Sequence, residues 1–364
     1  MRIIAYDDNP DFGGHQTMAC QGIEALAKDP SIEVVFVLNP HNKRLAERVA
    51  GIPNIQRMEA PCATRRFQGL RNPFDRRGIH ALEKQLQALA PDLVLCIQGE
   101  IEDSSQAMLA ARRAGIECVS YIAIPHRMAE MGARLGTLRD RINQYLLNKP
   151  NRYIAISESM KALLVERGVT QPIAVVPNGI SMPPEPCPPR QERQAVLGLL
   201  GRVEFKQKQQ DFMVQAFCTF PKQFADCHLV IAGGGPDEEK LKQLVAECPR
   251  REEITLLPWQ DDTEAFYASV DFLMLPSRFE GVPLAMLEAL ARGIPVIGSA
   301  RDGMRDILPE AWTFETENAD RLAHAFSNTR KSWQSEISSV QKRVETEMTL
   351  ETFKHHFHHA VVQT

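Results

Sequence analysis

Short runs of β-branched and aliphatic residues alternate along this chain with longer stretches whose apolar positions recur every three or four residues. In the first half, residues 3–6, 34–38, 93–97, 118–123, 153–156 and 173–176 read as strands, with amphipathic helices such as 16–28 and 157–167 between them. In the second half, residues 196–200, 229–232, 254–257, 272–275 and 295–297 repeat the pattern, with helices near 209–217, 238–247, 263–268 and 283–292. Strand and helix alternating in this way predict parallel sheets joined by crossovers, hence an α/β chain of two Rossmann-like, doubly wound domains. Between the halves, residues 181–190 hold five prolines in ten positions, a density that neither helix nor central strand tolerates. This stretch reads as a stiff connector.

Length agrees with two domains, since 364 residues exceed the roughly 250 to 300 at which a single core stops growing. The expected division is 1–180, a connector 181–195, 196–348, and a closing segment 349–364. With 44% hydrophobic and 24% charged residues the composition is that of a soluble globular protein. No apolar run reaches the roughly 18 residues of a membrane span, and Met1 leads directly into a strand, so a cytoplasmic location is expected. The eight cysteines show no C-x-x-C pairing, which predicts reduced core thiols and no structural metal. A net charge of −4 argues against nucleic-acid binding, yet six arginines (57, 65, 66, 71, 76 and 77) face only Glu59 and Asp75 within residues 57–77. That local excess is either a solvated face or a surface for an anionic acceptor or an anionic membrane leaflet.

Ligands of doubly wound sheets bind beyond the carboxyl ends of the strands, so chemistry is sought in the loops there. Gly13-Gly14 follows the first strand and opens a helix, either as a plain tight turn or as a close backbone approach to a phosphate or sugar. Gly201-Arg202, with Lys206 and Lys208 after it, follows the strand that opens the second half and offers a guanidinium fork and point charges to a diphosphate. Gly233-Gly234-Gly235-Pro236 and Asp302-Gly303 are further loops of this kind. The segment from Ser277 to Ala289 places Glu280 on a strand-to-helix loop and Glu288 about one and a half turns into a helix that begins at Pro283. Two acids so spaced, with helix N–H groups between them, suit a ligand with hydroxyls at both ends and an anionic centre, such as a nucleoside diphosphate sugar. Taken alone, the same spacing also fits a capping acid and a solvent-facing one.

Gly201-Arg202 with a following lysine, Ala232-Gly233-Gly234-Gly235-Pro236, the E-x7-E of Glu280 and Glu288, Ala289 to Ile297, the turn at Gly303 and Val176-Pro177-Asn178-Gly179 occur together in this order. In these motifs the chain resembles the GT-B glycosyltransferases, in particular the retaining group called family 4, over nearly its whole length. The resemblance implies that Arg202 and Lys208 bind the donor diphosphate, that Glu288 binds the ribose hydroxyls and that Glu280 lies by the donor sugar. It also implies donor contacts from Gly281, Val282, Leu284, Gly235 and the closing loop Gly13-Gly14, and a catalytic histidine at His126, for which a surface histidine at a strand end is the alternative. The first domain would hold a glycan or glycolipid acceptor, the second a nucleotide sugar, most plainly a UDP-sugar, in a cleft between them. The closing helix would pack back on the first domain, which accounts for His355, His356, His358 and His359 without a metal.

Three positions depart from the family pattern. The lysine lies one residue further from Arg202 than usual, so Lys206 competes with Lys208; Trp259 stands where glycine is frequent, beside the expected base pocket; Asp306 replaces a glutamate. The implied reaction transfers a sugar with retention to an acceptor hydroxyl, needing no metal or other cofactor because fixed cations stabilise the leaving phosphate. Arg127, Arg134, Arg139 and Arg141 extend the basic surface and point to an anionic acceptor in envelope or polysaccharide synthesis, with peripheral contact at the inner membrane. A GT-B-fold nucleotide-sugar epimerase, recognisable by conversion of the donor without an acceptor, and a non-catalytic nucleotide-sugar-binding protein are the alternatives.

Overall fold

The computed structural model describes residues 1–183, 194–260 and 262–363, so most of the proline-rich connector expected at 181–195 lies outside the described residues. The chain divides into two compact units, Met1–Gly179 with Leu350–Thr364, and Ile180–Thr349.

The first unit is built on seven strands: β1 (Arg2–Asp7), β2 (Glu33–Leu38), β3 (Ile55–Glu59), β4 (Leu93–Gln98), β5 (Glu117–Ile122), β6 (Arg152–Ala155) and β7 (Ile173–Val175). They form one parallel sheet in the order β3-β2-β1-β4-β5-β6-β7. Every residue of β4 is buried, as a central parallel strand covered on both faces requires, and its sequence is accordingly apolar from Leu93 to Ile97. β3 was not visible in the pattern, because Ile55-Gln56-Arg57-Met58-Glu59 is an edge strand with most of its side chains in water. The closing helix Leu350–Val362 belongs to this unit and lies on the helix Gly14–Ala27, where the ring of Phe357 occupies the space a Cβ on Gly22 would need. Lys354 meets Glu24 at 3.1 Å and His358 meets Asp29 at 3.0 Å, so two polar residues of this helix serve its docking.

The second unit carries β8 (Ala195–Leu200), β9 (Cys227–Ala232), β10 (Ile254–Leu257), β11 (Phe272–Leu275), β12 (Val296–Ser299) and β13 (Thr313–Phe314), ordered β10-β9-β8-β11-β12-β13. An aromatic stack fills its core, Phe224 against Phe326 at 5.2 Å and Phe272 edge-on to Phe326 at 5.5 Å. The expectation of reduced cysteines fails at one pair: Cys218 and Cys248 form a disulfide, joining the end of helix Gln210–Thr219 to the residue after helix Glu238–Glu247. Thirty residues separate them in sequence, and only the packing of those two helices brings them together. In both sheets the winding reverses once, between β1 and β4 and between β8 and β11, which fixes where a ligand crevice opens in each.

Candidate active site at the strand ends

In the second unit the loops beyond β8, β9, β11 and β12 are laced together by backbone. Gly201 donates its N–H to the Ala232 carbonyl at 3.0 Å and Val203 donates to Gly234 at 3.1 Å. Gly201 and Gly233 hold φ of +140° and +153°, and a Cβ on Gly233 would overlap the Gly201 carbonyl. A Cβ on Gly235 would likewise overlap the Val203 carbonyl, and one on Gly303 the Gly281 carbonyl, to which Gly303 also donates its N–H at 3.0 Å. Glycine at these positions therefore has a structural cause, the positive φ at Gly201 and close stacking of neighbouring loops at Gly233, Gly235 and Gly303, whatever else the loops bind.

On this floor the charged residues are placed with care. Arg202, whose side chain is about half exposed, lies 3.6 Å from Glu204, and its carbonyl is held by the Gln210 side chain at 2.8 Å. Lys206 and Lys208 sit on the short helix Phe205–Lys208, Lys206 exposed and Lys208 turned inward, where its ammonium contacts the carboxylate of Glu280. The same carboxylate accepts from Ser277 Oγ at 3.0 Å, and the Glu280 N–H donates to Asp302 Oδ2 at 3.1 Å. Glu280 is 5% exposed, so it is a buried acid with a named cation, not a helix cap.

The following helix spans Leu284–Ala291; Pro283 is its N-cap in extended conformation and not its first helical residue. Gly281 and Val282 are buried in the loop before it, and Leu284 is half-buried. Glu288 is half-buried on that helix and accepts a hydrogen bond of 2.7 Å from Tyr267 Oη. Burial, with the Glu288 carboxylate beside it, pushes the Tyr267 hydroxyl well above its usual range and keeps it a donor. The Arg292 guanidinium covers the Tyr267 ring at 4.6 Å and pairs with Glu264. Trp259, after β10, is 43% exposed.

In the first unit Gly13 caps the helix after β1, donating its N–H to Gln16 Oε1 at 2.7 Å, and Gly14 opens that helix in an exposed position. His126 is fully buried, contrary to the surface alternative, and the backbone at Pro125 and His126 is clamped by Arg167, which donates to the two carbonyls at 2.6 and 2.8 Å. The extended basic surface also needs correction. Arg139 is buried and donates to both oxygens of Glu102, at 3.0 and 2.8 Å, so it is structural.

Sequence reasoning passed over the acids at the reversal of this sheet. Asp7 and Asp8, at the end of β1, are fully buried, and Asp103 beside them is 4% exposed. Asp8 accepts from the Thr64 hydroxyl and from the Ser104 N–H at 2.9 Å, and burial pushes its carboxyl up to about 7. Asp103 accepts from Asn9 Nδ2, Gly99 N–H and Glu100 N–H at 3.0–3.1 Å, and burial raises it to about 6. The His15 ring packs over Gly99, and burial lowers it to about 4, so it is neutral at physiological pH. The available signal was Asp7-Asp8 directly after an apolar strand.

Two Rossmann-like units whose chemistry lies at the strand ends place the protein in the GT-B fold class. Its second half, residues 194–331, matches the model described as Glycosyl transferases group 1, and residues 12–182 match Glycosyltransferase Family 4. The chain belongs to this family of glycosyltransferases. It is 26% identical over 251 residues to a lipopolysaccharide 1,6-galactosyltransferase of Salmonella typhimurium, covering 66% of each chain. To its Escherichia coli namesake it is 28% identical over 242 residues, 64% of this chain and 63% of the relative. An uncharacterized glycosyltransferase of Haemophilus influenzae is 28% identical over 147 residues, 40% of this chain and 41% of the relative. The chain thus matches about two-fifths to two-thirds of the length of these relatives. Among solved structures, the lipopolysaccharide outer core galactosyltransferase WaaB in its apo form superposes with a TM-score of 0.73 at 22% identity, with 99% of both chains covered. Anabaena HepE in complex with UDP-glucose gives 0.77 at 14% identity over 99% of both chains.

Proposed function

We propose that this protein is a retaining, metal-independent glycosyltransferase that moves a hexose from a UDP-sugar to a hydroxyl of a glycan or glycolipid acceptor in envelope polysaccharide synthesis on the cytoplasmic side. The observation that carries the reading is the meeting of Lys208 and Glu280, 72 residues apart, at the β8–β11 reversal, with Arg202 at the end of β8 and Glu288 on the helix beyond. A buried acid and a cation joined this way form a charged pair that a diphosphate can split, taking the lysine while the acid turns to sugar hydroxyls. The relatives named as lipopolysaccharide galactosyltransferases and the structure holding UDP-glucose support the choice of donor and acceptor class.

In this reading Arg202 and Lys208 bind the diphosphate, with Lys206 at its rim, Glu288 holds the ribose hydroxyls, and Trp259 offers an exposed face to the base. The bond from the anomeric carbon to the phosphate oxygen breaks while the acceptor oxygen bonds to the same face of that carbon. The acceptor proton passes to the departing phosphate oxygen, and Glu280 positions the sugar. Negative charge grows on the leaving group, so cations held in place before reaction contribute most, and none of these steps draws on a metal.

The test is to screen UDP-, GDP- and ADP-sugars for thermal stabilisation, then to follow transfer to a lipopolysaccharide-derived acceptor by NMR with and without EDTA. Stabilisation by a UDP-sugar and a product of unchanged anomeric configuration in EDTA are expected. An inverted product ends the retaining reading, loss of turnover in EDTA ends metal independence, and conversion of the donor with no acceptor present makes the protein an epimerase.

A further inference from the structure

The closing helix Leu350–Val362 docks through Phe353, Phe357 and Val361, all buried, and His358 reaches Asp29 from the rim of that face. Docking therefore explains one of the four histidines on this helix. His355, His356 and His359 are exposed, and among the described residues none of the three makes a hydrogen bond or an ion pair. At about 100° of turn per residue, His355 and His359 stand about 40° apart and point directly away from Phe357, the centre of the docked face. Helical neighbours four apart hold their Cβ atoms about 5–6 Å from each other. From that spacing two imidazoles converge on one metal ion, as the histidines of the H-E-x-x-H pattern do.

The helix that carries the pair is fixed before any ion arrives. Phe357 fills the space beside Gly22, Lys354 meets Glu24 at 3.1 Å, and Arg152, the first residue of β6, donates to the carbonyls of Ala360 and Val361, the latter at 2.7 Å. Little ordering cost is left for a ligand to meet. These contacts hold the helix near the ends where the strands begin, whereas Gly13 and His126 follow the ends where β1 and β5 finish. Glu351 is exposed one turn before His355, but eight residues, about 12 Å of helical rise, separate it from His359. Among the described residues no three His, Cys, Asp or Glu side chains gather into a metal site, so the chain supplies two ligands here and water the remainder.

We propose that His355 and His359 form an exchangeable surface site for a divalent transition-metal ion of the zinc, nickel or copper kind, which clamps the last turns of the closing helix. Imidazole suits these ions, whereas magnesium and calcium take oxygen ligands. The inference is independent of the donor chemistry proposed above and is tested without nucleotide sugar.

The untagged full-length chain is titrated calorimetrically with Zn²⁺, Ni²⁺ and Mg²⁺ in a buffer that does not chelate them. Equimolar, saturable binding of Zn²⁺ and Ni²⁺, a melting temperature that rises with either ion, and no response to Mg²⁺ are expected. His355→Ala or His359→Ala should each weaken binding by more than about tenfold, the lower bound for losing even an outer-shell partner of a ligand. His356→Ala should bind like wild type. All three residues face water, so the variants should melt like wild type without metal, and the rise in melting temperature with Zn²⁺ should vanish only in the first two. No saturable binding by the wild-type chain overturns the proposal, as does binding that His355→Ala with His359→Ala leaves unchanged. A loss in His356→Ala equal to that in His355→Ala also overturns it, because the ion would then not be held by the outward pair.

Discussion

Where the strand order reverses, the two units carry opposite chemistry on the same topology. Beyond β8 and β11 lie Arg202, Lys206 and Lys208, in loops zipped by backbone contacts of Gly201, Gly233, Gly235 and Gly303, with the buried acid Glu280 matched to a cation. Beyond β1 and β4 lie Asp7, Asp8 and Asp103, buried and held by hydroxyl, amide and backbone donors instead of cations, so that Asp8 and Asp103 are raised toward neutral pH. Winding determines where a crevice opens, and the side chains brought there determine what it accepts. One end gathers cations around a buried acid, and the other gathers buried acids without cations.

The largest expected effect comes from breaking the cationic end. Lys208→Ala should lower turnover by about 10² to 10³, the usual cost of removing one preorganised charge from a site where anionic charge develops. Lys206→Ala, on the exposed side of the same short helix, should stay close to wild type. Steady-state rates for the two, measured well below the melting temperature because Glu280 loses its partner in the first, separate the lysines. A loss confined to Lys206→Ala would transfer the phosphate role to that residue.

At the acidic end the effect falls on stability and its pH dependence. Asp8 titrates at about 7 in the folded protein, against about 3.9 for a free aspartate. Between those values the native state keeps a proton that the unfolded chain has released, so the contribution of this group to stability is full below about pH 4 and is lost as pH rises to about 7. One such group contributes a slope of at most about 1.4 kcal/mol per pH unit. Asp8→Asn keeps an oxygen for the Thr64 and Ser104 donors and should flatten this decline. Melting temperatures of the two proteins from pH 4 to 8 decide it, and parallel curves would refute the assignment.

The cationic end was readable from sequence, and the acidic end was not. Gly-Arg followed by lysines, a triple glycine and E-x7-E are rare combinations whose order is informative even without geometry. Two aspartates after a strand are common, and their meaning depends on burial and on Asp103, which lies 95 residues away and comes near only when β4 pairs with β1. Central strands declared themselves as apolar runs, whereas β3 is an edge strand with polar residues and β13 has only two residues. The basic stretch was visible as charge, but its mixture of structural and exposed members was not: Arg139 pairs with Glu102 inside the unit while Arg76 and Arg77 stay in water. The partner of Glu288 was hidden for a similar reason, since Tyr267 precedes it by 21 residues and reaches it from another helix.

That partner gives the finest test of how the cationic end holds its ligand. Glu288→Ala should weaken UDP binding by about 1 to 3 kcal/mol, the cost of losing a charged acceptor to buried hydroxyls. Tyr267→Phe keeps the ring under Arg292 and removes only the hydroxyl that donates to Glu288, so its cost should be smaller, about 0.5 to 1.5 kcal/mol. If Tyr267 works by aiming Glu288, the double variant should bind UDP no more weakly than Glu288→Ala alone, because the hydroxyl has nothing left to position. Titration calorimetry with UDP measures all three. Additive losses would mean that Tyr267 touches the nucleotide itself, and an unchanged affinity in Glu288→Ala would remove the ribose assignment from which the distinction between the two acids, Glu280 and Glu288, is drawn.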